Sequence, residues 1–338
     1  MGVIIGIVKV VFLLGFLIFI HEGGHFLVAK LCRVKVKEFS IGFGPKIFSK
    51  KGLETTYCLR LIPLGGFVDM LGETEQINEK GSFSNSKVSI RIAIVIAGAM
   101  VNIIFGILTY FILMTVSGVN STTIVKSLIP EYKTEQTVLQ EGDKILKING
   151  KKTRIKSDVD NILYSINEEK IDVYVERNGK IIELQIIPVS IEYGSITRKI
   201  LGVEVEKASN SLKNNLYYGF WETVNFVGST GKSLKLLFTG NIRVEQMTGP
   251  IGISEMVVET NGVYDFVYLL AVISLSLGVT NLLPIPALDG GKILLLLIEA
   301  IRGKKLTEET ELQLQSLGFT FLIVVSLYIS FNDIQRLF

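Results

Sequence analysis

The 338-residue sequence predicts a polytopic α-helical membrane protein with four transmembrane helices, a β-hairpin region after the first, and one small β-rich unit between the second and third. Two observations carry this expectation. Hydrophobic residues make up 48% of the chain and its mean hydropathy is +0.45, too apolar for one soluble domain of this length. The apolar residues also gather into four blocks, each near the ~20 residues a helix needs to cross hydrocarbon.

The first block runs from Val3 to Ile20. Lys9 interrupts it, which a helix tolerates if the stem snorkels or the charge faces protein. No basic stretch precedes the block and no small-residue cleavage site follows it, so a retained span is expected rather than a signal peptide. The second block is Ile92–Met114, the third Phe266–Leu288 and the fourth Leu317–Phe331.

Between the first two blocks, glycine and proline at Gly42, Gly44, Pro45, Gly52, Pro63, Gly65 and Gly66 punctuate short strands. Leu53–Val68 is β-type and unusually apolar for a loop, so this hairpin is expected to associate with the membrane. Arg33, Lys35, Lys37, Lys50, Lys51, Lys87 and Arg91 flank this connection, and Arg302, Lys304 and Lys305 lie between the last two blocks. The positive-inside rule places both connections in the cytoplasm, with the termini and the segment from Gly118 to about Val263 outside. Cys32 and Cys58 then sit in a reducing compartment as free thiols.

In the long segment, Glu141–Gly150 reads as a turn, an alternating strand and an Asn-Gly turn. Helical spacing follows over Val159–Ile166. Ile171–Val175 and Ile181–Ile187 then form a hairpin around Asn178-Gly179, and Ser211–Phe238 has the spacing of an amphipathic helix. The resulting division is 1–30 first span, 31–90 hairpin region, 91–117 second span, 121–205 β-rich domain, 211–262 linker helix region, 263–301 broken third span and 316–336 fourth span. Net charge is +3 from 35 basic and 32 acidic residues, with no basic, aromatic-interleaved stripe, so no nucleic-acid partner is expected.

The chemistry concentrates at His21-Glu22-Gly23-Gly24-His25. Residues four apart on a helix share a face, so two imidazoles can address one metal ion with Glu22 beside them to handle a proton. These are the only two histidines in the chain. A catalytic zinc usually takes three protein ligands and leaves a fourth position open. The best third candidate is Asp289, inside the apolar run Asn281–Gly291, where Pro284 and Pro286 break the helix and Gly290 and Gly291 allow close backbone approach. Broken helices at membrane depth line protein or water-filled cavities, the setting hydrolysis requires.

On these residues the chain resembles the site-2-type intramembrane zinc metalloproteases, peptidase family M50, in the bacterial branch that acts in regulated intramembrane proteolysis. His21–His25 is similar to the family's zinc motif, and Asn281–Gly290 to its second signature. Phe43-Gly44-Pro45 and Arg60–Gly66 resemble its membrane-associated hairpin, and Thr248–Ile253 the segment leading to its third span. Gly142–Gly150 resembles part of a PDZ domain, with room for one such unit. The segment Thr134–Gln140 departs from the family's small-residue pattern, and the unit is expected either to bind peptide or to exclude bulky substrates. The resemblance implies Zn2+ held by His21, His25 and Asp289, catalysis by Glu22, and Asn281 assisting at the substrate backbone. Transmembrane proteins, such as anti-sigma factors or signal-peptide remnants, are the implied substrates. The competing expectations are a non-catalytic PDZ-bearing scaffold and a transporter, the latter lacking a second, symmetry-related broken segment.

Overall fold

The computed structural model describes residues 2–118, 120–132, 138–166, 168–193, 196–238 and 248–337. Thr134–Thr137, within the segment that departs from the family pattern, lies outside them. The chain divides into two compact units, Met1–Thr109 with Gly240–Phe338, and Tyr110–Thr239.

Four helices among the described residues are long and apolar enough to cross a membrane: α1 (Gly2–Leu31), α2 (Val88–Ser117), α6 (Val263–Asn281) and α8 (Glu308–Leu337). The protein is a multi-pass membrane protein. α1 is one uninterrupted helix of 30 residues, so it continues well past the Val3–Ile20 block. At 1.5 Å per residue, ~15 Å of helix follows His21, so the histidine motif lies inside α1, as the expected first span of 1–30 requires. Lys9 faces protein: its Nζ donates to the Thr260 carbonyl at 2.8 Å and approaches the Thr260 hydroxyl at 3.2 Å.

The third block breaks where its prolines stand. α6 stops at Asn281, the chain turns through 282–288, and α7 (Asp289–Arg302) starts at the aspartate. Ala287 in this turn has φ +75°, a conformation that strains any residue with a Cβ. A Cβ on Gly290 would collide with the Leu282 and Leu283 carbonyls, so only glycine lets the turn fold back onto the start of α7.

In lipid, helices associate through close packing more than through a hydrophobic driving force. α1 and α2 meet at glycines: a Cβ on Gly24 would stand 2.6 Å from the Ala97 carbonyl oxygen, and one on Gly98 would overlap the His25 ring. Leu13 and Leu17 of α1 pack in a core with Leu269 and Leu270 of α6 and with Val257 of α5 (Pro250–Val258).

Between α1 and α2 the chain forms β1 (Val36–Lys51) and β2 (Thr56–Met70), paired antiparallel from Val36↔Met70 to Lys51↔Thr56. The register breaks between Ile41 and Lys46 and folds the long hairpin on itself, so Ser40 neighbours both Phe67 and Cys58. Its base joins the core of Ala29, Val34, Val36, Phe39, Val68, Met70 and Phe83. Both cysteines are free.

The second unit holds a sheet of order β10-β3-β4-β6-β7, with β5 added to β4. Its strands are β3 (Ser121–Leu128), β4 (Lys144–Ile148), β5 (Lys151–Lys152), β6 (Ile171–Arg177), β7 (Lys180–Ile186) and β10 (Val203–Lys207). β8 (Val189–Tyr193) and β9 (Ile196–Ile200) pair separately. Alternation puts Ile171, Val173 and Val175 inward, against Val125, Ile145 and Ile148. The Asn178-Gly179 turn has both residues at positive φ, which suits the twist of a two-residue hairpin. α3 (Lys156–Tyr164) closes the core, and α4 (Leu212–Phe238) fixes itself to it through Asn225, whose Nδ2 donates to Asp158 Oδ1 at 2.9 Å and Ser157 Oγ at 2.8 Å.

Candidate metal centre

Helix periodicity sends His21 and His25 from α1 toward one point, and the α6–α7 break brings Asp289 to the same point. His21 Nε2 and His25 Nε2 are 3.2 Å apart, and Asp289 Oδ2 lies 3.2 Å from the first and 3.6 Å from the second. Donor atoms around a tetrahedral zinc at ~2.1 Å stand about 3.4 Å from one another. The three separations therefore already match a coordination triangle. Asp289 Oδ2 is buried and makes no hydrogen bond among the described residues, an orphaned acceptor that a bound cation would satisfy. The second ring nitrogen of His25 is 2.9 Å from the Ile94 carbonyl of α2, an acceptor only, so Nδ1 carries the proton and Nε2 presents its lone pair to the centre. The donor set and its geometry fit zinc.

Glu22 and Asn281 share one cavity of about 310 Å³ with the three donors; Phe67, Val68 and Met70 of β2 wall it as well. Gly66 is needed beside Glu22, because a Cβ there would meet Glu22 Cγ at 3.2 Å and the Ser40 carbonyl at 2.8 Å. All five residues singled out in the sequence, His21, Glu22, His25, Asn281 and Asp289, thus border a single space.

Further polar groups border the cavity or stand behind its histidines. Lys292, one turn after Asp289 on α7, pairs with Glu73 at 2.7 Å and lies over the Phe83 ring. Asn102 of α2, fully buried, approaches His21 Nδ1 at 3.4 Å. An amide in the middle of an apolar span is costly unless it has a partner, and that is the signal by which Asn102 stands out in the sequence. The Lys292–Glu73 pair joins residues too distant in the chain to be recognised by spacing.

A polar cavity with converging nitrogens, a carboxylate and a glutamate, bordered by membrane-crossing helices, is suited to hydrolysis where water is otherwise scarce; the class is that of membrane-embedded metallopeptidases. The sequence profile of peptidase family M50 matches residues 9–325. The chain is 34% identical to a Fusobacterium nucleatum protein over 336 residues, covering 97% of this chain and 98% of that one. It is 30% identical to the zinc metalloprotease RasP of Bacillus licheniformis and 30% identical to the regulator of sigma-W protease RasP of Bacillus subtilis, covering 98% of this chain and 99% of each relative. The last alignment extends over 418 positions against 338 residues, so that relative contains segments this chain lacks. The chain belongs to peptidase family M50, and it is a zinc metalloendopeptidase of the site-2 protease type.

Proposed function

We propose that the protein cleaves peptide bonds within transmembrane segments of membrane proteins, with His21, His25 and Asp289 as the zinc ligands and Glu22 as the general base. The observation that carries this reading is the convergence of three donor atoms on one point beside Glu22. Zinc in that position supplies Lewis-acid polarisation of the scissile carbonyl and makes water acidic enough to attack near neutral pH. Glu22 takes the proton of the attacking water on its carboxylate and delivers it to the leaving amine. Asn281, on the cavity wall, donates its amide N–H to the substrate backbone. The intact general base weighs against a purely scaffolding role.

A helical substrate hides its carbonyls in its own hydrogen bonds and must unwind before cleavage. In the hairpin, Gly66–Asp69 pairs on one side with Glu38–Ile41, and Phe67 and Val68 border the cavity. The unwound substrate adds a strand at this edge, which gives affinity through backbone bonds with little sequence preference. Phe43, Ile47, Phe48, Leu53, Leu61 and Ile62 are exposed on the hairpin, which suits contact with the bilayer. By the positive-inside rule the hairpin is cytoplasmic, in the cytoplasmic membrane, and the termini and the β unit are outside. The β unit is PDZ-like and single; its place outside suits screening or capture of substrate tails. The name of the Bacillus subtilis relative, a regulator of sigma-W, supports anti-sigma-type substrates, and signal-peptide remnants have the same apolar character.

The test is Glu22→Gln in the full chain reconstituted with a membrane peptide. Zinc content stays at the parent level and cleavage falls at least ~10²-fold, the scale of general-base contributions. Turnover near that of the parent would remove Glu22 from the role.

A further inference from the structure

One face of α2 lies behind both histidines. Ile94, Gly98 and Asn102 follow one another at four-residue intervals, so they line one stripe of the helix. The Ile94 carbonyl accepts from His25 Nδ1 at 2.9 Å. Gly98 offers no side chain, which lets the His25 ring lie against the α2 backbone. Asn102 reaches His21 Nδ1 at 3.4 Å, and its own backbone carbonyl is held by the Ser274 hydroxyl at 2.8 Å. Asn102 is completely buried, and its Oδ1 has no hydrogen-bond partner among the described residues.

That orphaned oxygen matters because a neutral imidazole that presents a lone pair at Nε2 must have its proton on Nδ1. A donor at His21 Nδ1 needs an oxygen opposite it. A half-turn of the Asn102 amide about its last torsion exchanges Oδ1 and Nδ2 with no other atom moving, and supplies that acceptor. His25 gets its acceptor from a backbone carbonyl and His21 from this side chain, so a single helix sets both tautomers.

We infer that Asn102 is a positioning residue of the metal centre: its side-chain oxygen accepts the Nδ1 proton of His21 and holds that ring in the tautomer that binds zinc. The inference rests on the assignment of His21 as a ligand. Partners of this kind orient ligating imidazoles and raise their basicity, and their loss typically costs ~10–100-fold in metal affinity.

The test uses the full-length protein in detergent, purified with a histidine-free tag and labelled with ¹⁵N-histidine; because the chain has two histidines, four ring nitrogens report. Zinc retention is measured by chelator competition. In the zinc-loaded parent, both Nδ1 atoms are protonated and both Nε2 resonances move on metal binding. Asn102→Ala weakens zinc retention about 10–100-fold and perturbs His21 Nδ1–H while the His25 signals stay in place. Asn102→Asp, which keeps an oxygen opposite Nδ1 and has no amide to donate, retains zinc within about threefold of the parent or more tightly.

An Asp variant that releases zinc as readily as the Ala variant overturns the inference, as does an unprotonated His21 Nδ1 in the zinc-loaded parent. If the Ala variant fails to fold, the Asp variant decides alone, since a packing role tolerates a buried carboxylate no better than a truncation. A His21 Nε2 resonance that does not respond to zinc sinks the ligand assignment itself. A responsive Nε2 with unchanged retention in the Ala variant sinks only the role of Asn102.

Discussion

Asp143 in the β unit is fully buried and Asp289 beside the histidines has one buried oxygen, and their surroundings treat them oppositely. Arg177 grips Asp143 with two nitrogens, at 2.7 Å to Oδ1 and 2.8 Å to Oδ2, and the Gln140 amide adds 2.8 Å to Oδ2. Burial pushes this carboxyl up, but the Arg177 and Gln140 hydrogen bonds outweigh it and hold the group below its usual 3.8. Asp289 keeps a buried Oδ2 with no hydrogen bond among the described residues and two imidazole nitrogens near it. Asp143, whose partners are all in the β unit, serves the fold; Asp289, whose Oδ2 finds no hydrogen-bond partner among the described residues, is the one proposed to hold a metal.

Replacement of each aspartate or its partner tests the contrast. The largest effect is expected from Asp289→Ala, which abolishes stoichiometric zinc and with it proteolysis, while the thermal melt of the metal-free helices followed by circular dichroism stays where it was or rises. A metal-free variant that melts well below its metal-free parent would instead make Asp289 a structural residue. Next in size is Arg177→Ala. It leaves the Asp143 charge buried without its partner and lowers the stability of the β unit by about 3 kcal/mol, with zinc content unaltered. Trp221, the single tryptophan, stacks under the Arg154 guanidinium at 3.9 Å within the same unit, so its fluorescence follows this unfolding.

The smallest effect is a pH dependence. Because the folded-state value of Asp143 lies below its ordinary 3.8, its contribution is fully present above pH ~4 and is lost as pH falls through the lower, folded-state value. The Trp221 unfolding midpoint should therefore hold level from pH 7 to about 5 and drop below about 4, whereas in Asp143→Asn the drop is blunted and the two proteins converge in acid. Parallel acid profiles for parent and variant would show that the Arg177 pairing does not set the acid limit.

The same contrast explains what could be read in the sequence. The four spans, the Asn149-Gly150 and Asn178-Gly179 turns and the His-Glu-x-x-His spacing are local patterns written within a turn or a window of helix. Asp289 was legible because two prolines and two glycines mark its helix break. The first span, 1–30, was legible past its apolar run of Val3–Ile20, because the His-Glu-x-x-His spacing itself calls for helix, and α1 runs Gly2–Leu31. Glu73 and Lys292 escaped because their meaning arises from neighbours far away in the chain, which no local periodicity encodes, whereas Asn102 carried a local signal, an amide within an apolar span, but not its partner His21. The folding of the hairpin on itself depends likewise on register breaks between Ile41 and Lys46 and not on residue type alone.

The position of Asp289 also has a consequence for the order of events during synthesis. His25 and Asp289 are separated by about 260 residues, so at ~5–20 residues per second the ribosome needs roughly 13–50 s between delivering the first two nitrogen donors and the carboxylate. Throughout that interval α1 is in place with its glutamate, yet the donor set is one short. On the proposed ligand set, a half-made chain beside freshly inserted helices lacks its third metal donor, and the centre is complete only with the last stretch of chain.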